Sequence, residues 1–387
     1  PLHPMGLQIT SLRLANFRSY ERFSLEGLGS LTIFVGPNAV GKSNLLEAIQ
    51  LTTALSSFRS ATTEQMIRWG CSDARVDVHM EDAVRNLDVA LLLGANGKRY
   101  RLNGKAVQAS ALQDNLPAVA FCPDDLSLVK GSPSVRRAAI DALGSQLSAN
   151  YRAVKRDYEK ILRQKNRLLK DEADPLYLSS VNEVLSVVGA QLCRYRLQIF
   201  EDLTREFPVQ YADTTATSEH AAVRYRLSWE SLRSGSGKAE PPTQLALLAD
   251  AETPDRGVLQ HEFSLALDEM LEEERRRKQS LVGPHRDTLD FLLDDHEAGR
   301  FASQGQQRSL AIAFKLTEFR MIEKKRHQRP LLLLDDVMSE IDATRREMLT
   351  KHLQDAAQTF ITTTNLEYFT PELLSSARVI HLPYQEV

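Results

Sequence analysis

Gly36-Pro37-Asn38-Ala39-Val40-Gly41-Lys42-Ser43 matches the spacing G-x-x-x-x-G-K-[ST]. Glycines at both ends let successive backbone N–H groups curl around phosphate oxygens, and a following helix adds the positive end of its dipole. In such a loop Lys42 reaches the β- and γ-phosphates of a nucleotide, while the Ser43 hydroxyl sits on Mg²⁺. The residues expected to hold ATP are Gly36, Asn38, Gly41, Lys42, Ser43 and Asn44. A chance glycine-rich turn would lack the flanks found here. Leu31 to Val35 reads as an apolar strand entering the loop, and Leu45, Leu46, Ile49 and Leu55 recur at helical spacing after it.

A phosphate loop of this kind wants a metal carboxylate on a neighbouring strand. Leu331 to Leu334 followed by Asp335 and Asp336 supplies one. Four leucines predict a fully buried strand that delivers Asp335 to its C-terminal end, where α/β sites lie. Asp335 is expected to hold Mg²⁺, mostly through water, and Asp336 to polarise the attacking water as general base. With Lys42 these two aspartates form the expected catalytic set. The plainer alternative is that either aspartate caps the following turn.

Ser303-Gln304-Gly305-Gln306-Gln307 opens a strongly helical stretch. A serine hydroxyl, a glycine permitting close backbone approach and a helix N-terminus again suit a phosphate. In order and distance this turn resembles the signature of ABC-class ATPases, which faces the γ-phosphate of the partner subunit's ATP. Taken alone, Ser303 reads equally as a helix N-cap. Ser339-Glu340-Ile341-Asp342 then follows in the position of a D-loop, with Ser339 and Asp342 as its expected functional residues.

The elements that must position these groups can be read coarsely. Residues 7 to 35 and 75 to 107 alternate apolar and polar positions, with Asn96-Gly97 and Asn103-Gly104 as turn signals. From about residue 133 the chain turns long, charged and helical. Tyr151, Val154, Tyr158, Ile161, Leu162 and Leu168 share one helix face. Arg152, Arg156, Arg163, Arg167 and Lys170 share the opposite face, a stripe suited to DNA phosphates without sequence readout. Arg136 and Arg137 make a second basic point. A solvated outer face is the plainer reading of both. Residues 212 to 257 read as loops around one strand, Val223 to Trp229, and include Ser234-Gly235-Ser236-Gly237. A charged helix follows, with Glu272–Arg276 and Glu273–Arg277 at helical spacing.

At 387 residues the chain exceeds what one compact core usually holds, so two lobes are expected. A net charge of -3 argues against a uniformly basic nucleic-acid coat, though not against a local stripe. It favours weak, ATP-dependent duplex binding over tight constitutive binding. Cys71, Cys122 and Cys193 lie far apart and predict neither a zinc site nor a disulfide framework, which suits a reducing cytoplasm. Apolar runs such as Leu331 to Leu334 are too short to cross a bilayer, and no membrane is expected as a partner. The opening PLHP lacks the regions of a signal peptide, and Met5 is expected to be the natural start.

Six further stretches carry a more specific likeness. LRLANFRSY, SSFRS, YRLNGK, FCPDDLSLVKGSPSVRRAAID, SLVGPHRDTLDF and LLLLDDVMSEID resemble the RecF family, bacterial recombination-mediator ATPases of the SMC/ABC group. The likeness runs over nearly the whole chain. It implies an α/β fold: an ABC-type P-loop ATPase head, a mixed sheet with flanking helices, plus a mainly helical second lobe or arm. The expected divisions are 5–125 for the phosphate-loop part, 126–278 for the helical insert, and 279–387 for the signature turn, aspartate strand and D-loop. By the same likeness Arg18 is a candidate contact near the base or α-phosphate, and Arg59 near the phosphates.

The resemblance also implies a mechanism. Two copies would face each other with two ATPs between opposing phosphate loops and signature turns, in an ATP-dependent homodimer. That dimer would clamp double-stranded or gapped DNA and assist recombinase loading in repair, with RecR and RecO as partners. Activity is expected to be a weak, DNA-stimulated ATPase whose slow hydrolysis acts as a release switch. Three departures from the wider ABC pattern support slowness: Asp336 where many relatives carry glutamate, Thr364-Asn365 where many present histidine, and no evident lid glutamine. An ABC-type ATPase driving a membrane or protein partner is the alternative, disfavoured by the long charged insert. An SMC or zinc-hook ATPase would need a long coiled coil or a C-x-x-C hook. A nuclease of the overcoming-lysogenization type would need a further domain after Asp335, where only about fifty residues remain.

Overall fold

β1 (Gln8–Phe17), β2 (Tyr20–Glu26), β4 (Ala74–Glu81), β5 (Asn86–Gly94), β6 (Gly97–Leu102) and β7 (Lys105–Val107) form one antiparallel sheet, ordered β2-β1-β4-β5-β6-β7. Its alternation sorts the side chains. In β4, Ala74, Val76, Val78 and Met80 are buried while Arg75, Asp77, His79 and Glu81 take the other face. Asn103 and Gly104, both with positive φ (48° and 79°), make the two-residue turn between β6 and β7, as the sequence signal predicts. This description comes from a computed structural model and covers residues 6–59, 61–112, 114–215, 217–230, 253–353 and 356–383. Met5 and the Ser234–Gly237 stretch lie outside those described residues.

A second sheet holds β3 (Leu31–Val35), β8 (Ala118–Phe121), β12 (Leu331–Asp335), β13 (Gln358–Thr363) and β14 (Arg378–His381). Its order is β14-β3-β13-β12-β8 and every neighbouring pair is parallel. β3, β12 and β13 are buried along their whole length, which is why they read as unbroken apolar or threonine-rich runs. α1 (Lys42–Thr53) packs between the two sheets. Its Leu45, Leu46 and Ile49 share a core with Leu12 and Val76 on one side and Phe34, Leu333 and Phe360 on the other. The expected α/β head thus holds one antiparallel and one parallel sheet, with α1 between them.

The chain divides into two compact units: residues up to Asp125 together with Glu318 onward, and Leu126–Thr317. The cuts between these units fall at 125/126 and 317/318. Beyond the expected boundary at 278/279, β10 (Thr288–Leu293) pairs antiparallel with β9 (Ala221–Arg226) from Thr288↔Arg226 to Leu293↔Ala221. That pairing, extended by β11 (His296–Glu297), ties residues after 278 into the insert. The strand expected over Val223 to Trp229 is β9, set two residues earlier.

Helices Pro133–Leu147, Ala149–Lys170, Pro175–Thr214 and Arg256–Arg277 make up most of the second unit. The Pro175–Thr214 helix is 40 residues long and by length and composition apolar enough to cross a membrane, which the short runs noted in the sequence do not reveal. Half of its most apolar window is buried inside the protein. In the Ala149–Lys170 helix the buried positions are Tyr151, Tyr158, Lys165 and Leu169. Lys165 Nζ lies 2.6 Å from Glu274 Oε2, and both side chains are fully buried. On the Arg256–Arg277 helix, Glu272 pairs with Arg275 rather than Arg276, and Glu273 pairs with both Arg276 and Arg277.

Candidate nucleotide site

The phosphate loop leaves the C-terminal end of β3 and enters α1. Gly36 N–H donates to the Thr363 carbonyl at 3.2 Å, which pins the loop's start to β13. Gly41 has φ 108°, and a Cβ there would stand 2.9 Å from both Ser19 Oγ and Tyr20 Oη. Backbone conformation and crowding both demand glycine. α1 begins with no side-chain cap and no acidic residue in its first turn, leaving its N–H groups to a ligand of negative charge. A cavity of about 190 Å³ opens here, lined by loop residues including Asn38, Lys42 and Ser43, together with Asn44, Arg59 and Asp336.

Lys42 is 6% exposed, and its ammonium donates to the Gly36 and Pro37 carbonyls at 2.7 and 2.9 Å. Burial lowers its pKa against the pull of Asp336 and Asp335. Asp335, at the end of β12, accepts a hydrogen bond from the Thr362 hydroxyl at 2.8 Å. The same hydroxyl accepts from the Asp336 N–H at 2.9 Å. Asp336 itself is held left-handed, with φ 53°. Burial raises its carboxyl above the usual range, opposed by Ser339 and Lys42, and its buried Oδ1 has no hydrogen-bond partner among the described residues. An ammonium, a serine hydroxyl at a helix start, a strand-end carboxylate and an unpartnered carboxylate oxygen make a donor set suited to a nucleotide with a divalent cation. Lys42, Ser43, Asp335 and Asp336 would hold that pair.

Arg18 and Arg59 reach this neighbourhood through an acid that the sequence reading did not single out. Arg18 Nη2 and Nε donate to Glu47 Oε1 and Oε2 at 2.7 and 2.8 Å, and Arg18 Nη1 donates to the Gln65 carbonyl at 2.7 Å. Ser57 donates to Glu47 Oε1 at 2.6 Å. Arg59 lies 3.8 Å from Glu47 Oε2 and donates to Asn44 Oδ1 at 2.8 Å. Asn44 in turn donates to Ser19 Oγ at 3.0 Å. Arg59 thus lines the cavity, whereas the guanidinium of Arg18 is spent on Glu47 and Gln65. The signal for Glu47 was present: an acid on α1 beside Leu46 and Ala48, in a helix with buried residues all round.

In the second unit the helix Gln304–Arg326 begins at the SQGQQ turn. Ser303 Oγ accepts from Gln306 N–H at 3.3 Å and Gln306 Oε1 accepts from Ser303 N–H at 2.6 Å, a reciprocal capping box. Ser303 and Gln304 are exposed, while Gly305 and Gln306 are partly covered. In the D-loop, Ser339 donates to the Asp336 carbonyl at 2.8 Å. Asp342 accepts from Arg345 N–H at 3.0 Å, which holds its carboxyl below the usual range.

The basic residues expected to meet DNA fare unequally. Arg136 is only 9% exposed and donates to the Gly131 carbonyl at 2.8 Å, so it closes its own loop rather than facing solvent. Arg137 donates to the Asp287 carbonyl at 2.7 Å. Arg152 donates to the Ser145 carbonyl at 2.7 Å. Arg156, Arg163, Arg167 and Lys170 are exposed along their helix, with Asp157 and Asp171 each 3.6 Å from Arg156 and Arg167.

A parallel sheet, a phosphate loop running into a buried helix and an aspartate-bearing strand two places away define a P-loop ATPase head. Residues 8–379 match the family described as the RecF/RecN/SMC N terminal domain. The DNA replication and repair protein RecF of Ligilactobacillus salivarius is 31% identical over 97% of this chain and 96% of its own. RecF of Staphylococcus carnosus is 31% identical over 98% and 100%. Among solved structures, the recombination mediator protein RecF-ATPrS in the RecFOR pathway superposes with TM-score 0.82 at 26% identity, covering 95% of both chains. A RecF-ATP structure gives 0.81 at 27%, covering 93% and 94%. An Smc head domain from Pyrococcus furiosus, at TM-score 0.51 and 16% identity, shares the fold. The chain belongs to the RecF family.

Proposed function

We propose that this chain is an ATP-dependent DNA-binding clamp of recombinational repair, acting in the cytoplasm. In this reading Lys42, Ser43 and the N–H groups of α1 hold the triphosphate, and Asp335 with Ser43 holds Mg²⁺. The signature turn, Ser303 to Gln306, meets the terminal phosphate bound by a second copy. ATP then favours the dimer because it binds the paired state better than the single chain. Hydrolysis, with Asp336 as general base, removes that preference and releases DNA. Exposed basic residues from Arg156 to Lys170 are the proposed DNA contacts. Arg18 acts through Glu47, and Arg59 lies nearest the phosphates.

The observation that carries the reading is that a chemically equipped phosphate loop and an exposed, pre-capped signature turn occur in one chain. Relatives named for DNA replication and repair, and for the RecFOR pathway, support assigning RecR and RecO as partners. Sizing by light scattering tests the proposal, with and without ATP–Mg²⁺ and duplex DNA. A monomer without ATP, a dimer with it and a DNA complex that weakens steeply with salt are expected. Protein that stays monomeric on DNA at saturating ATP defeats the clamp.

A further inference from the structure

The side-chain amide of Gln306 is committed at both ends. Its oxygen closes the capping box on Ser303, and its Nε2 donates to Glu219 Oε1 at 2.6 Å, 87 residues away in sequence. The other Glu219 oxygen accepts from the Tyr211 hydroxyl at 2.8 Å and the Thr217 hydroxyl at 3.0 Å. Tyr211 is 1% exposed and belongs to the last turn of the Pro175–Thr214 helix. The carboxylate is therefore anchored to a buried side chain before Gln306 reaches it. An ionised acceptor makes a stronger hydrogen bond than a neutral one. Without it, the Gln306 side chain would spread over several rotamers, of which few reach the Ser303 N–H. Ser303 Oγ uses a lone pair on Gln306 N–H, which leaves its O–H to donate outward.

We infer that Glu219 is a positioning residue of the signature turn. It locks Gln306, and through Gln306 it fixes the direction in which the Ser303 hydroxyl faces a second copy's terminal phosphate. This inference rests on the two-copy reading above. Glu219 lies outside the contiguous SQGQQ motif, between the long helix and β9.

Sedimentation of the full-length chain at saturating ATP–Mg²⁺ reads the dimer dissociation constant. Glu219→Ala should raise it by about tenfold or more, since each dimer holds two such turns and each loses a charge-assisted bond. ATP binding by the monomer, read by equilibrium dialysis, should not change. Glu219→Gln should stay close to wild type, because its amide oxygen still accepts from Gln306. Gln306→Glu sets two carboxylates face to face and should weaken the dimer. Adding Glu219→Gln to it restores a donor opposite an acceptor and should recover association, an outcome that a merely structural role would not give. A Glu219→Ala protein that dimerises like wild type overturns the inference, as does a double variant no better than Gln306→Glu. Ser303→Arg separates the two levels. If that variant dimerises normally, the two-copy reading falls; if it fails while Glu219→Ala does not, only the positioning role falls.

Discussion

Glu47 grips Arg18 through both carboxylate oxygens while its own side chain is fully buried, one turn into the helix that follows the phosphate loop. Its replacement by alanine leaves a partly buried guanidinium without its acid and frees Ser57. We expect a stability loss of roughly 3–5 kcal/mol in urea unfolding, the usual cost of breaking a buried pair. Nucleotide affinity should fall with it, because Arg59 and α1 lose a common anchor. An unfolding midpoint equal to wild type would remove Glu47 from this role.

Thr362 serves both aspartates with one hydroxyl. Thr362→Val keeps the shape and removes the bond. The Mg²⁺ concentration needed for half-maximal ATP hydrolysis should rise by about tenfold or more, the usual effect of removing a residue that orients a metal ligand. Titration of Mg²⁺ at fixed ATP checks this; an unchanged requirement would show that Asp335 needs no such support.

As the proposed general base Asp336 would have to be ionised, and burial raises its pKa. Turnover should therefore decline on the acid side at a pH above that of an ordinary carboxylate. Asp336→Asn should abolish most phosphate release in single-mixing assays. Wild-type turnover should itself lie below the enzyme median of about 10 per second. A rate near that median would sink the slow-switch reading.

Lys165 and Glu274 face each other with no solvent exposure on either side chain. Lys165→Met strands a buried carboxylate that also holds Ser280 and Leu281, at 3.0 and 2.8 Å. The single change should cost about 3–5 kcal/mol, and Lys165→Met with Glu274→Gln should recover part of it. Chemical denaturation of the two variants decides the point.

His285 Nδ1 lies 2.7 Å from the Tyr158 hydroxyl and its Nε2 3.3 Å from the Ser280 carbonyl, a pairing that the neutral ring satisfies with Nε2 donating and Nδ1 accepting. Burial pushes its pKa down to about 3 from 6.5. The unfolded chain therefore binds a proton that the folded one refuses between those values. This contribution to stability is fully present above pH 6.5 and is lost as pH falls toward about 3. His285→Asn should flatten that part of the pH profile of the urea midpoint; an unchanged slope would discount it.

The local elements were legible wherever their residues are contiguous. The loop before α1, the Leu331–Asp335 strand and the helix start at SQGQQ each take the predicted element. What escaped were groups whose partners lie far along the chain. Glu47 and Lys165 are charged residues on core-facing helix positions, and Lys165 follows Tyr151 and Tyr158 at heptad spacing. That spacing gave the signal, but not the acid 109 residues later that makes it tolerable. Arg136 reads as a basic point for DNA because nothing local marks the Gly131 carbonyl as its target. The segment after 278 illustrates the same point: the pairing of β10 with β9, and bonds such as Tyr158 with His285, bind it to residues far earlier in the chain.

The strand that carries the phosphate loop has just two neighbours, β13 and β14, both supplied by residues after 357. During synthesis β3 leaves the ribosome long before β13 and β14, so its hydrogen-bonding edges go unmatched while all the residues between them are made. Until that point the five residues of β3, four of them apolar, form a bare β-edge in need of shelter from its neighbours.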